Sequence, residues 1–263
     1  MISLSINSNV AEVVLNAPHK LNSLDEQALA ELSRAYDDAA AAASRGEVRA
    51  LLLRGEGRAF CAGRDIQNVT PESDDAEAYL AGLVQPLLKK MSAFPAPTFA
   101  AAQGACLGVG LGLLLATDVV YVAENAKFGS PFAKLGATLD SGGHWYFSER
   151  LGMHRTLDLI YTAELISGTE AVAQGMFSRA MPADELLPGT REIVSRVATG
   201  ATGAFTASKE LVAHIRDQRL GLWDAMAEEN AEQARLCKSE DYAEGFRAFQ
   251  EKRSPVFNGT LAR

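Results

Sequence analysis

Cysteine, histidine and uninterrupted hydrophobic runs are all scarce in this 263-residue chain, and each scarcity removes a class of protein. Cys61, Cys106 and Cys237 are the only cysteines, an odd number without C-x-x-C spacing. They supply neither a disulfide framework nor a zinc site and suit a reducing compartment, so a cytoplasmic protein is expected. The four histidines (His19, His144, His154, His214) form no ligand pattern, so no metal site is expected. The longest apolar run, 105–116, is rich in glycine and well short of the ~20 residues a membrane-spanning helix needs. Met1 is followed by alternation (Ile2, Leu4, Ile6) with no basic segment, which argues against a signal peptide. No dense Lys/Arg block is present, and 25 basic against 33 acidic side chains give a net charge of −8. Nucleic acid and anionic membrane are therefore not expected as main partners. A small anionic ligand needs only a few local cations and is compatible with this balance.

A hydrophobic content of 48% can fill a substantial core, and the length suits one large domain, or a main domain with a small appendage. Residues 4–6 and 10–15 read as a hairpin around Asn7-Ser8-Asn9, and 25–43 as an amphipathic helix after a loop at 16–22. A strand at 48–54 leads into R-A-F-C-A-G-R-D (58–65), then a polar, acidic segment at 70–76 that is expected to be mobile. A helix at 76–91 ends at Phe94-Pro95-Ala96-Pro97. Strands follow at 119–123 and 127–129, and a loop at 130–140 opens a helix near Ser141. Ser167-Gly168-Thr169-Glu170 has capping-box spacing, starting a short helix that ends at Gly175. Residues 176–181 are a candidate last strand, and after Pro188 the chain reads as helix (189–197, 204–219, 222–237, 241–253). Strands thus alternate with helices to about residue 181 before an all-helical tail, the pattern of an α/β core with a helical appendage.

The stretch 99–118, F-A-A-A-Q-G-A-C-L-G-V-G-L-G-L-L-L-A-T-D, reads as a buried strand, a Gly-rich turn and a compact apolar helix. Gly104, Gly108, Gly110 and Gly112 either allow close packing of helix on sheet or shape a helix N-terminus that receives a developing anion.

R-A-F-C-A-G-R-D followed about 40 residues later by Q-G-A-C-L-G-V-G (103–110), with A-T-D-V-V-Y-V-A-E-N-A-K-F (116–128) after it, resembles the enoyl-CoA hydratase/isomerase (crotonase) superfamily. The likeness runs from A-P-H-K-L-N (17–22) to F-Q-E-K-R (249–253). It implies a crotonase-like α/β spiral of β-β-α units: an acyl-CoA-binding core over 1–199 and a C-terminal helical trimerisation region over 200–263. Homotrimers, often paired into hexamers, go with that fold. The implied substrate is an acyl-CoA thioester; coenzyme A arrives as part of it, and no separate cofactor is expected.

By position, the resemblance makes the backbone amides of Arg64 and Val109 an oxyanion hole for the thioester enolate. Ala62, Asp65, Ile66 and Gly108 would line the same site. Lys20 and Arg58 match positions along the CoA channel, and Phe249 with Lys252 a pair often contributed by a neighbouring subunit; each is otherwise a surface charge or, for Phe249, a core aromatic. The Arg64 side chain has three candidate partners: a phosphate, Asp65 or solvent. Residues 67–81 with Trp145 and Tyr146 are candidates for the acyl pocket. Hydratases of the family use two glutamates, whose positions hold Gly112 and Phe132 here, and neither can move a proton. Asp140, in L-D-S-G-G-H-W, sits where some relatives carry a catalytic aspartate, the phenylacetate-pathway ring-epoxide/oxepin isomerase and certain Δ3,Δ2-enoyl-CoA isomerases among them. A single base suffices for an allylic proton shift, so an isomerase is expected, with a hydratase or a non-catalytic acyl-CoA binder as alternatives. Asp140 is equally placed to cap the following helix, which would make it a weaker base. His144 could share a helical face with it, and Ser141, Glu149 and Cys61 have no assigned role.

Overall fold

The computed structural model describes residues 1–67, 69–129 and 131–259. Asn68, Ser130 (the expected head of the 130–140 loop) and residues 260–263 lie outside them. Strands β1 (Ile2–Asn7) and β2 (Val10–Leu15) form the expected antiparallel hairpin. Helix α1 (Glu26–Ser44) follows, with Asp25 accepting the Ala28 amide at 2.8 Å, a cap worth about 1 kcal/mol. Its Leu29, Leu32, Tyr36 and Ala39 recur on one face and are buried. Strand β3 (Ala50–Gly55) lies between β2 and β4 (Thr98–Ala102), both parallel to it. Leu51, Leu52 and Leu53 are consequently all buried, each stabilising the fold by about 2 kcal/mol. The full order is β1-β2-β3-β4-β6-β9, with β6 (Val119–Ala123) and β9 (Arg179–Met181) also parallel to their neighbours.

Between β3 and β4 the chain forms α2 (Ala76–Tyr79), a π turn (Leu80–Val84) and α3 (Gln85–Ser92), which together make up the single helix the sequence suggests. The Gly-rich turn does not pass directly into a helix. A three-residue strand β5 (Ala105–Leu107) intervenes and pairs in parallel with β7 (Lys127–Gly129), which pairs with β8 (Ile166–Ser167) in a second, small sheet. Helix α4 (Val109–Leu115) then packs against α5 (Gly143–Thr162), which is interrupted at Gly152. The capping box starts α6 (Gly168–Ala173) as expected. The strand proposed at 176–181 shortens to β9, and α7 (Ala183–Ala198) begins ahead of Pro188 rather than after it. Pro182 explains this: its carbonyl accepts the Glu185 and Leu186 amides, so the first turn forms and Pro188 forfeits only its own bond.

Helix α7 lies across β3, β4 and β6. Helices α8 (Thr202–Gln218), α9 (Leu222–Leu236) and α10 (Glu240–Glu251) form the tail. Arg49 ties that tail to the sheet by donating to Gly200 O, Thr202 Oγ1 and Phe257 O, and Lys209 pairs with Asp118 at 3.0 Å. Among the described residues no helix is long and apolar enough to cross a membrane, and no cluster of His, Cys, Asp and Glu could hold a metal.

Candidate active site

Two backbone corners meet at the C-terminal side of β3 and β4. The first is the 58–65 loop. Phe60 N donates to Gln103 O, Cys61 N to Ala105 O, and Leu107 N back to Cys61 O, so this loop runs beside β5. Its other edge is stitched to the 17–24 loop, where Ala62 N donates to Leu21 O and Leu24 N to Gly63 O. Asn22, almost fully buried, completes the seam: its amide donates to Glu56 O and Ala59 O while its Oδ1 accepts from Ala17 N. Sequence reasoning gave Asn22 no role; its signal was an amide side chain closing a short loop, at φ 56.

The second corner is Gly108 at the head of α4. A Cβ on Gly63 would lie 2.9 Å from Leu107 O and 3.8 Å from Gly108 Cα, so the corners touch. Gly63 (φ 101) and Gly108 (φ 51) both have left-handed torsions, and each directly precedes one of the two predicted amides. Around Arg64 the bridge uses the flanking groups, Gly63 O and Asp65 N bonding Leu24, which turns the Arg64 N–H to the opposite side. Among the described residues neither the Arg64 nor the Val109 amide donates to the protein. Each of two adjoining corners is thus followed by a backbone donor without a protein acceptor among the described residues.

Asp140 does not cap α5. The N-cap is Gly142, and a left-handed pair, Ser141 (φ 54) and Gly142 (φ 83), separates the carboxylate from the helix. Asp140 Oδ1 instead accepts from Ser141 Oγ at 2.7 Å. Burial pushes the Asp140 carboxyl above its ordinary range, and Ser141, Arg64 and His144 only partly offset this. Ser141 is also packed on α4, since a Cβ on Gly112 would come within 2.5 Å of Ser141 Cβ. The space a longer side chain at 112 would need is thus filled by the residue holding Asp140. Phe132 lays its ring over Gly108, with its tip 3.1 Å from where a Cβ would stand. His144 shares no helical face with Asp140, which lies outside the helix; it is exposed and within 3.3 Å of Thr138 Oγ1.

The Arg64 side chain does not pair with Asp65, one of the partners the sequence suggests. It forms a two-pronged ion pair with Asp74 (3.0 and 2.6 Å) and lies 4.2 Å above the Tyr79 ring. Asp65 is unavailable because it binds Lys20 Nζ at 2.9 Å, and Asp25 binds the same nitrogen at 3.0 Å. Lys20 holds the Asp65 carboxyl below its usual range, while its own ammonium is raised by the two carboxylates despite burial. Arg58 and Ile66 are exposed, and Ala62 is half-buried. Glu149, left without a role by the sequence, is engaged by Arg219 at 2.7 Å. Phe249 is 84% exposed, which removes it from the core; it borders a cavity of about 470 Å³ with Tyr242, Phe246 and Phe257, and Lys252 ends α10. A cavity of about 1380 Å³ reaches Leu80, Ala81, Gly112, Ser141 and Tyr146 but not the two amides.

Residues 5–260 match the family model described as "Enoyl-CoA hydratase/isomerase". The chain is 34% identical over 262 residues to a Rhodobacter capsulatus protein named "Probable enoyl-CoA hydratase", covering 98% of each. It is 30% identical over 260 residues to the Escherichia coli "1,2-epoxyphenylacetyl-CoA isomerase", covering 97% of each. The crystal structure of an enoyl-CoA hydratase from Bacillus anthracis superposes with a TM-score of 0.89 at 28% identity, covering 98% of this chain and 99% of that one.

Proposed function

Since the chain belongs to the enoyl-CoA hydratase/isomerase family, whose members act on acyl-CoA, we propose that it is an acyl-CoA isomerase with Asp140 as its base. The thioester carbonyl accepts from the Arg64 and Val109 amides. Asp140 removes a proton from the carbon between the carbonyl and the double bond, or from its vinylogous position. The electron pair moves into the dienolate, whose oxygen is the charge the two amides stabilise. The same carboxylic acid returns the proton two carbons away, and the double bond has moved with no net change in atoms. One observation carries the assignment. The two glutamate positions of hydratases hold Gly112, packed on Ser141, and Phe132, packed on Gly108, whereas Asp140 is partly buried, uncommitted to a helix cap and raised in basicity. Burial of a carboxylate that nearby donors and cations offset only in part is how a fold makes a stronger base.

CoA phosphates would meet Arg58, an exposed cation on the rim of the 58–65 loop, before Lys20, whose charge is engaged by two carboxylates. The exposed Phe249 and the nearby Lys252 suit contribution to a neighbouring subunit of a trimer or hexamer. A hydratase is the second reading, favoured by the name of the Rhodobacter relative.

Purified protein is to be incubated with crotonyl-CoA and, separately, with a 3-enoyl-CoA. Migration of the double bond is expected, and Asp140→Asn should lower it by about 10²–10⁴-fold. Hydration of crotonyl-CoA that survives Asp140→Asn would reject the mechanism, and tight acyl-CoA binding without turnover would indicate a non-catalytic homologue.

A further inference from the structure

The two amides assigned to the oxyanion hole are held very differently. Val109 opens a helix and follows a paired strand, so its backbone is fixed from both sides. Arg64 sits in a loop whose regular pairing at that point is a single bridge to Leu24. A donor stabilises developing charge most when it needs no reorganisation, so the looser amide requires a second support.

That support runs through the Arg64 side chain. Its guanidinium is gripped by both Asp74 oxygens and rests on the Tyr79 ring. The Tyr79 hydroxyl in turn donates to Leu24 O at 3.1 Å, and that same oxygen accepts the Asp65 amide. The contacts close a circuit: Arg64 side chain to Tyr79, Tyr79 to Leu24, and Leu24 to the peptide groups on either side of Arg64. Asp74 is itself placed at the mouth of α2, where its neighbour Asp75 caps the Ala78 amide at 2.8 Å. Both members of the ion pair are about one-quarter exposed, which shelters the pair while leaving it outside the core.

We infer that Asp74 is a positioning residue, holding the Arg64 backbone amide in register with the Val109 amide through the Arg64 guanidinium and the Tyr79 ring. This rests on the oxyanion-hole assignment made above. It predicts a defect in turnover rather than in thioester binding, because a loosened donor is missed most in the transition state.

Asp74→Asn and Arg64→Leu, which retains the backbone amide, should each lower kcat for a 3-enoyl-CoA about tenfold with KM within about twofold of wild type. Asp74→Glu should recover most of the loss, and the double variant should be no slower than either single one, as for residues acting through one link. Wild-type kcat in Asp74→Asn, a rise in KM alone, or multiplying losses in the double variant would each overturn the inference. Should Arg64→Leu fail to fold, the comparison of Asp74→Asn with Asp74→Glu decides the matter. Double-bond migration, or exchange of substrate C–H for solvent deuterium, by the wild-type protein separates the two layers. Absence of both removes the active-site assignment and this inference together; either one left untouched by Asp74→Asn removes the inference alone.

Discussion

Gly112→Ala tests the site's geometry through a single methyl group. The added carbon would stand 2.5 Å from Ser141 Cβ, 3.1 Å from Ser141 O and 3.3 Å from Ser141 Oγ. Carbon atoms pack at about 3.5–4.0 Å, so Ser141 has to retreat by roughly 1 Å. A change of rotamer cannot provide this, because Cβ and the carbonyl belong to a backbone already turned left-handed at φ 54. Asp140, bonded to Ser141 Oγ at 2.7 Å, is displaced with it. Overpacking of this kind costs about 1–3 kcal/mol, which in a chain of this size lowers the melting midpoint by about 2–10 °C. A catalytic group misplaced by about 1 Å costs on the order of 100-fold in rate. Calorimetry and a 3-enoyl-CoA turnover assay read the two effects separately. Adding Ser141→Gly removes the clashing carbon and suits the positive φ, so the double variant should regain most of the lost stability. Its activity should return only in part, since Asp140 has then lost its hydroxyl donor. A Gly112→Ala protein that melts and turns over like wild type would refute the packing of α4 on this loop.

Two further substitutions probe charge. Burial raises the Asp140 carboxyl above its unfolded value, so ionising it works against the fold; its contribution is most favourable below the unfolded pKa and is lost as pH rises through the folded one. Asp140→Asn should therefore melt at the same temperature as wild type or higher at neutral pH, the gap narrowing as pH falls toward about 4. A clear loss of stability at neutral pH would contradict this. Lys20→Met leaves Asp25 and Asp65 facing each other without their shared cation, at a cost of about 1–2 kcal/mol after allowing for solvent screening. Lys20 holds Asp65 below its usual range; at Asp25, burial pushes the carboxyl up, but the Ala28 amide and Lys20 together outweigh it. The stability these groups add is present above the unfolded value of 3.8 and lost as pH falls through their folded values, so wild type and variant should converge in acid thermal scans.

Elements with local signals were readable from the chain alone. The Ser167–Glu170 capping box lies within one turn of the groups it satisfies and folds as expected. Strand β5 was hidden because Ala105–Leu107 takes its partner from residues 127–129, while its own apolar letters merge with the helix that follows. The start of α7 was masked by Pro188, whose missing donor affects only one bond of a turn that Pro182 already anchors. At the site, the two glycine corners were legible as motifs, but the partner of the Arg64 side chain was not. Asp65 is nearer in sequence yet taken by Lys20, and the long guanidinium arm reaches ten residues on. Asp140 was ambiguous for a torsional reason. Two left-handed residues between it and α5 decide that it is no cap, and no periodicity records them.

Cys61 and Cys106 face each other across the contact between the 58–65 loop and β5, and both are fully buried. Burial pushes the Cys61 thiol up to about 12, so it carries almost no thiolate at neutral pH, whereas Cys237 stands on the surface. The molecule thus contains its own gauge of integrity: a sulphur-reactive dye added to the folded chain counts one atom. The remaining two become countable when the loop lifts from its strand, so the pace of labelling times the opening of the pocket with no substrate present.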